Sequence, residues 1–171
     1  MTRWKSQNSR MSPAVPIRTW WYLLALVTGI LLLGILSGCS SSSQTARELK
    51  LAPLAEMPDY VQTAPPNVQE AYRFAAVNPA ILEHIPCYCG CGNMGHQHNL
   101  HCYVKSFNAD GSVAEFDNHA GGCTLCVDIT RDVMRMWQDG EALVNIRAYI
   151  DREYSRFGPP TNTAPVEVSQ Q

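Results

Sequence analysis

The sequence of 171 residues predicts a mainly α-helical fold, a small single domain of about four helices with an irregular loop rich in Cys, His and Gly. Apolar residues recur at helical spacing on both sides of this loop. Within it no period is sustained, and glycines at 90, 92, 95, 111, 121 and 122 break the backbone repeatedly. The length left after removal of a leader suits one domain.

Two helices are predicted before the loop. The first has Asn67 as its N-cap, because apolar residues follow on one helical face, namely Val68, Ala71, Tyr72, Ala75 and Ala76. Pro79 suits the first position of a second, short helix. We expect His84 to cap the end of this helix, and Pro86 to stop the chain from continuing it.

Two further helices are predicted after the loop. The first carries an apolar stripe and ends at Asp139-Gly140; the stripe consists of Cys126, Ile129, Val133, Met136 and Trp137. The second ends at Gly158-Pro159-Pro160, and its stripe consists of Leu143, Ile146, Ile150, Tyr154 and Phe157.

A short hairpin is predicted inside the loop. Asp110-Gly111 lies between 103–105 and 113–115, as in an Asp-Gly turn. The same segment partly resembles a calcium-binding loop, with Asp117 six residues after the glycine. Because the first position is Ser106 and the last is not glutamate, we favour the turn.

The N-terminus has the features of an export signal. Basic residues without an acidic one precede an apolar run over 20–36, which ends in Leu36-Ser37-Gly38-Cys39. This ending resembles the bacterial lipobox, so residues 1–38 are predicted to be a lipoprotein signal peptide and Cys39 to be lipidated. An uncleaved signal anchor is the alternative, and both interpretations place the domain outside the cytoplasm, held at the cell membrane.

The remaining boundaries follow from composition. Residues 39–65 contain a serine run and several prolines, and are predicted to be the lipidated cysteine and a flexible linker. The helical domain is predicted over 66–160, and residues 161–171 are expected to form a disordered tail. Loss of the leader leaves nine of 13 Lys and Arg against 15 Asp and Glu, which argues against nucleic acid as a partner.

Cysteines and histidines dominate the loop. Three cysteines occur at alternate positions in Cys87-Tyr88-Cys89-Gly90-Cys91, and they can face one centre only if the chain curls at its glycines. Cys123 and Cys126 lie one turn apart, where a helix N-terminus favours thiolate. The predicted metal ligands are the thiols of Cys87, Cys89, Cys91, Cys102, Cys123 and Cys126, with the imidazoles of His96, His98, His101 and His119.

Thiolates and imidazoles together favour a soft metal ion, Cu(I) first and Zn(II) next. Met94 is a weak further candidate, since methionines more often fill a core. The sequence thus favours a protein that sequesters or transfers metal, with a metal-donor or metal-acceptor protein as partner. No motif of an ordinary enzyme is visible, which favours binding over catalysis.

Two alternatives stay open at this point. Six cysteines in an exported domain can form three structural disulfides, although neighbours two apart would pair only with strain. Cys123 and Cys126 can also be the redox pair of a thiol oxidoreductase. The strand and helix pattern of a thioredoxin-like fold is, however, missing from the sequence.

The hexapeptide Pro86-Cys87-Tyr88-Cys89-Gly90-Cys91 resembles the signature of the PCYCGC-motif lipoproteins. In that family histidines, a lone cysteine, a His-Gly turn and a C-x-x-C helix follow. They correspond here to 96–101, Cys102, His119 with Gly121 and Gly122, and Cys123 with Cys126. The resemblance covers about 66–160. It implies an exported, lipid-anchored, cysteine-rich helical domain, without an established ligand or reaction.

Overall fold

The computed structural model of the protein describes residues 46–166 and, in addition, Tyr22. Apart from Tyr22, the predicted signal peptide lies outside the described residues, as does Cys39. The described residues 46–166 belong to one compact unit. Over the part of the chain that is described, no helix combines the length and the apolar character needed to cross a membrane.

Helices dominate the described residues, as predicted. In chain order the α-helices are α1 (Asp59–Gln62), α2 (Pro66–Val77), α3 (Pro79–Leu82), α4 (His119–Gly122), α5 (Thr124–Gln138) and α6 (Leu143–Tyr154). Short 3-10 helices span Leu54–Glu56, Cys91–Met94 and Asn99–Cys102. Within 46–166 there are thus six α-helices where about four are predicted, because single turns form at α1 and α4.

The core lies where α5 packs against α2 and α6. Its largest fully buried side chains include Phe74 of α2, Ile129 of α5 and Ile146 of α6. Gly140 ends the α5 segment with a φ of 87°, as the sequence predicts. Phe157 departs from the prediction: α6 ends at Tyr154, and the Phe157 side chain beyond it is 54% exposed.

Two predicted caps are wrong. Pro65 is the N-cap of α2, with no side-chain hydrogen bond, and Pro66 takes the first helical position. Proline fits there because that amide has no partner within the helix, so Asn67 already lies inside it. His84 follows α3, which starts at Pro79 as predicted, but its buried ring nitrogens make no hydrogen bond and so cap nothing.

The predicted hairpin is confirmed. Strands β1 (Val104–Phe107) and β2 (Val113–Phe116) pair antiparallel. In the turn Asp110 accepts hydrogen bonds from the amide and the hydroxyl of Ser112, at 2.9 and 2.6 Å. These bonds occupy an Asp110 oxygen that a calcium loop would direct at the ion, in agreement with the turn interpretation.

The described parts of the linker and of the tail, 46–65 and 161–166, are more ordered than predicted. Ala52, Met57 and Val61 are buried in the core, so the described part of the linker, from residue 46, belongs to the folded unit. At the other end Thr161 is 7% exposed and bonded to the loop at Cys87. Isolated apolar residues between prolines show no period, but they still bury apolar area once a core is present.

Candidate metal centre

The cysteine loop curls as its glycines allow. Gly90 has a φ of 84°, a left-handed conformation, and the 3-10 turn Cys91–Met94 begins directly after it. The reversal brings the sulfurs of Cys87, Cys89 and Cys91 within 4.8 Å of one another. Three alternate residues thereby face a common centre.

The C-terminal segment fixes the first of these cysteines. The Cys87 amide donates to the hydroxyl of Thr161 at 2.9 Å, and the Thr161 amide donates to the Cys87 carbonyl at 2.9 Å. Gly158 passes so close that an added Cβ would lie 2.9 Å from the Tyr88 carbonyl oxygen. Residues 158–161 therefore act as a clamp on the loop.

The second pair of thiols lies at the start of α5, as predicted. Cys123 is the N-cap residue, and Cys126 lies in the first turn. Their sulfurs are 3.0 Å apart. Both sulfurs therefore lie at the N-terminal end of α5.

The loop and the helix bring their sulfurs into contact. Cys87 lies 3.3 Å from Cys89 and 3.4 Å from Cys126, sulfur to sulfur. Cys89 lies 3.6 Å from Cys126. Cys126 is fully buried, as is Cys87. A sulfur cluster therefore forms between two stretches of chain that are more than 30 residues apart.

A third stretch completes the cluster. The turn Asn99–Cys102 places the Cys102 sulfur 3.9 Å from that of Cys91, and the Nδ1 atom of His96 lies 3.7 Å from Cys102. The His119 ring lies next to that of His96, with centroids 5.1 Å apart, and its Nε2 atom lies 3.5 Å from the Cys89 sulfur. Six thiols and two imidazoles thus face one region.

Asp117 is a site residue that the sequence reasoning missed. Its carboxylate accepts a hydrogen bond from the His119 amide at 2.7 Å and lies 3.9 Å from Nε2 of His96. His96 thus presents Nδ1 to a thiol and Nε2 to a carboxylate, the arrangement that orients metal-binding histidines. The short spacing Asp117-Asn118-His119 was the signal available in the sequence.

A buried polar network lies beneath Cys126. The Tyr103 hydroxyl donates to the Cys126 carbonyl at 2.9 Å and lies 2.7 Å from the Thr130 hydroxyl. The Thr130 hydroxyl lies 2.6 Å from the Asn99 side-chain oxygen. These hydrogen bonds join the loop to α5 and hold the backbone of Cys126 in position beside the cluster.

The remaining candidates lie beside the cluster. His98 and His101 stack with ring centroids 3.9 Å apart, and neither belongs to the close donor groups found among the described residues. His101 lines a surface cavity of about 300 Å³ together with His96 and Met94. Met94 is 58% exposed there, so it does not fill a core.

The six cysteines of the described chain are free. The shortest sulfur separation, 3.0 Å between Cys123 and Cys126, is well above the S–S bond length of about 2.05 Å. Cys87 has two sulfur neighbours at nearly equal distance, at 3.3 and 3.4 Å. Such shared contacts are typical of a common centre and differ from the exclusive pairs of a disulfide framework.

Hydrogen bonds among the crowded thiols shift the pKa values of Cys89 and Cys126 in opposite directions. Hydrogen bonds from Cys123 and then Cys126 lower the pKa of Cys89 to about 3. Hydrogen bonding, first to Cys102 and then to Cys123, instead raises the pKa of Cys126. Binding of a cation by these sulfurs should release protons, because metal-bound cysteine is deprotonated.

The family model for proteins of unknown function with a PCYCGC motif matches residues 29–166. The chain belongs to this family. The match extends beyond the range of the sequence resemblance at both ends, and takes in the linker and the clamp at 158–161 that the fold shows to be part of the domain. Comparison with curated proteins and with solved structures gives no match.

Proposed function

We propose that this PCYCGC protein is an exported, lipid-anchored protein that binds a soft metal ion, Cu(I) in preference to Zn(II), for sequestration or transfer. The observation that carries the proposal is the convergence of six free thiols and two imidazoles from three stretches of chain. Thiolates prefer Cu(I) and Zn(II), and imidazole suits copper and zinc alike.

The surroundings of the cluster support exchange of the ion as well as storage. Cys87 and Cys102 are fully buried, which shields bound metal from water and oxidants. His96 belongs both to the cluster and to the lining of the 300 Å³ cavity, beside His101 and Met94. A metal-donor or metal-acceptor protein that docks at this cavity would reach the ion through His96.

Membrane anchoring is proposed from the leader and the lipobox-like sequence at Cys39. Two or three acyl chains on this cysteine would hold the domain at the outer face of the cell membrane. Growth with a labelled fatty acid tests this part of the proposal. The label should appear on the wild-type chain and disappear from Cys39→Ser, and label retained by the variant would contradict it.

Metal binding is tested on the whole chain, purified without an affinity tag in detergent and without oxygen. Cu(I) should be taken from a colorimetric chelator, and protons should be released as it binds. Zn(II) should compete only at higher concentration. A chain that is fully reduced by thiol titration and still leaves all Cu(I) on the chelator would overturn the proposal.

The mass of the untreated chain distinguishes metal binding from the alternative of three structural disulfides, and an activity assay tests the alternative of a redox pair. Three structural disulfides would lower the mass by six hydrogens and make folding sensitive to reductant. A redox pair at Cys123 and Cys126 would turn over a thiol substrate. We expect neither, because the described sulfurs lie in a shared cluster.

A further inference from the structure

The cluster contains more donors than one ion can use. Six sulfurs and two imidazoles, eight donors in all, lie in groups whose members are within 4.8 Å of one another. Zn(II) bound by thiolates and imidazoles takes about four donors, and Cu(I) bound by thiolates takes no more than that. One ion would therefore leave several donors unused, and among the thiols Cys87, Cys102 and Cys126 are fully buried.

The donors fall into two sets. The helix-side set is formed around the start of α5, and it consists of Cys89, His119, Cys123 and Cys126. The loop-side set consists of Cys91, His96 and Cys102, which lie on the two 3-10 turns and the chain between them. His119 lies within 4.8 Å of the loop-side donors also, but its Nε2 contacts Cys89 at 3.5 Å, so we assign it to the helix side.

Cys87 belongs to both sets by distance. Its sulfur is 3.3 Å from Cys89 and 3.4 Å from Cys126 on the helix side. It also lies within 4.8 Å of Cys91 and of Cys102 on the loop side. A thiolate sulfur has lone pairs enough to bind two ions at once. Cys87 supplies the fourth donor that the loop-side set lacks.

We infer that the cluster holds two soft metal ions, one in the helix-side set and one in the loop-side set, joined by the Cys87 thiolate as a bridge. This inference rests on the proposed function and adds to it the number of ions and the bridging residue. With Cys87, the loop-side ion has four donors, as tetrahedral thiolate sites do, and the helix-side ion has five candidate donors, one more than a tetrahedral site uses.

The two ions differ in their surroundings. The loop-side ion lies next to His96, which lines the surface cavity and contacts the Asp117 carboxylate at 3.9 Å. The helix-side ion lies at the N-terminus of α5, where the positive end of the helix dipole disfavours a bound cation. Removal of the donors of one set should therefore leave the ion of the other in place.

The test uses Cd(II), a thiophilic ion with a magnetic isotope, on the reduced whole chain in detergent. Native mass spectrometry should count two ions per chain. The double variant Cys91→Ser/Cys102→Ser should retain one ion, and Ser106→Ala, an exposed hydroxyl on β1, should retain two. A wild-type count of one or zero would overturn this inference, whereas the proposed function is overturned only if the same reduced chain also leaves all Cu(I) on the chelator.

The bridge is tested by cadmium NMR on the same samples. Two resonances, each split by the other, are expected for ions that share a sulfur. Cys87→Ser should abolish the splitting, with a lowered ion count or with two unsplit resonances as the result. Two unsplit resonances in the wild type, or a splitting that survives Cys87→Ser, would overturn the assignment of Cys87 as the bridge.

Discussion

The helical scaffold and the cysteine loop meet at Cys126, yet different interactions hold them. In α5 and α6, Ile129, Ile146 and Ile150 are fully buried, and their apolar contacts need no ligand. The loop over 87–102 is held by the clamp at 158–161, by the buried polar network that includes Asn99 and Thr130, and by contacts among sulfurs. On the proposed function, we expect the scaffold to fold without metal and the loop to gain further order when metal binds.

The largest expected effect is a loss of Cu(I) affinity in the loop without a loss of helical structure in the scaffold. Cys126→Ser removes the sulfur that contacts Cys87, Cys89 and Cys123, so we expect Cu(I) affinity to fall by at least about 100-fold, measured by chelator competition. Helical circular dichroism should stay unchanged, because the scaffold core is intact. Ser106→Ala is the control. A variant that loses its helical signal would show that the two regions do not fold separately.

The converse change is Ile150→Ala in α6. Ile150 is fully buried, and its truncation should lower the free energy of unfolding by about 2–5 kcal/mol in urea titrations. The number of bound ions should not change. Val144→Ala is the control on the same helix, because Val144 is 38% exposed and its truncation should cost under about 0.5 kcal/mol. Ion loss in Ile150→Ala would contradict the comparison.

Tyr103→Phe tests the hydrogen-bond network that joins the loop to α5. The variant lacks the hydroxyl that donates to the Cys126 carbonyl and contacts Thr130, which should lower the free energy of unfolding by about 1–3 kcal/mol. Cu(I) affinity should fall as well, by up to about 10-fold, since Cys126 is less firmly placed. Tyr60→Phe is the control, because its hydroxyl is exposed and makes a 3.4 Å contact. Equal stability losses in the two variants would argue against a special role for the network.

The smallest expected effect is a decline of stability at low pH that originates at His98 of the loop. Burial, and then the charge of His101, lower the pKa of His98 from 6.5 to about 4. Between these values the unfolded chain binds a proton that the folded chain does not, so stability is complete above pH 6.5 and declines as the pH falls towards 4. Urea titrations of metal-free protein over this range should show a weaker decline for His98→Gln. An unchanged decline would exclude His98 as its source.

Periodicity was sufficient for the main helices and failed at the ends of the domain. The stripes in α2, α5 and α6 repeat over several turns, so each residue supports the assignment of the next. Ala52, Met57 and Val61 are isolated apolar residues between prolines, and no local sequence pattern predicts that they are buried. Thr161 likewise bonds to the chain 74 residues away, a contact that no local signal in the sequence encodes.

By itself, the sequence determined that this chain is mainly helical, that it belongs to the PCYCGC family, and which side chains are chemically able to bind a soft metal. These properties are local, since they depend on the spacing and chemistry of neighbouring residues. Only the tertiary structure decided that Cys87 contacts both halves of the cluster, that Asp117 faces two histidines, and that His98 and His101 lie to the side. Distances of 3 to 4 Å between side chains remote in sequence follow from packing, which fixes the loop against α5.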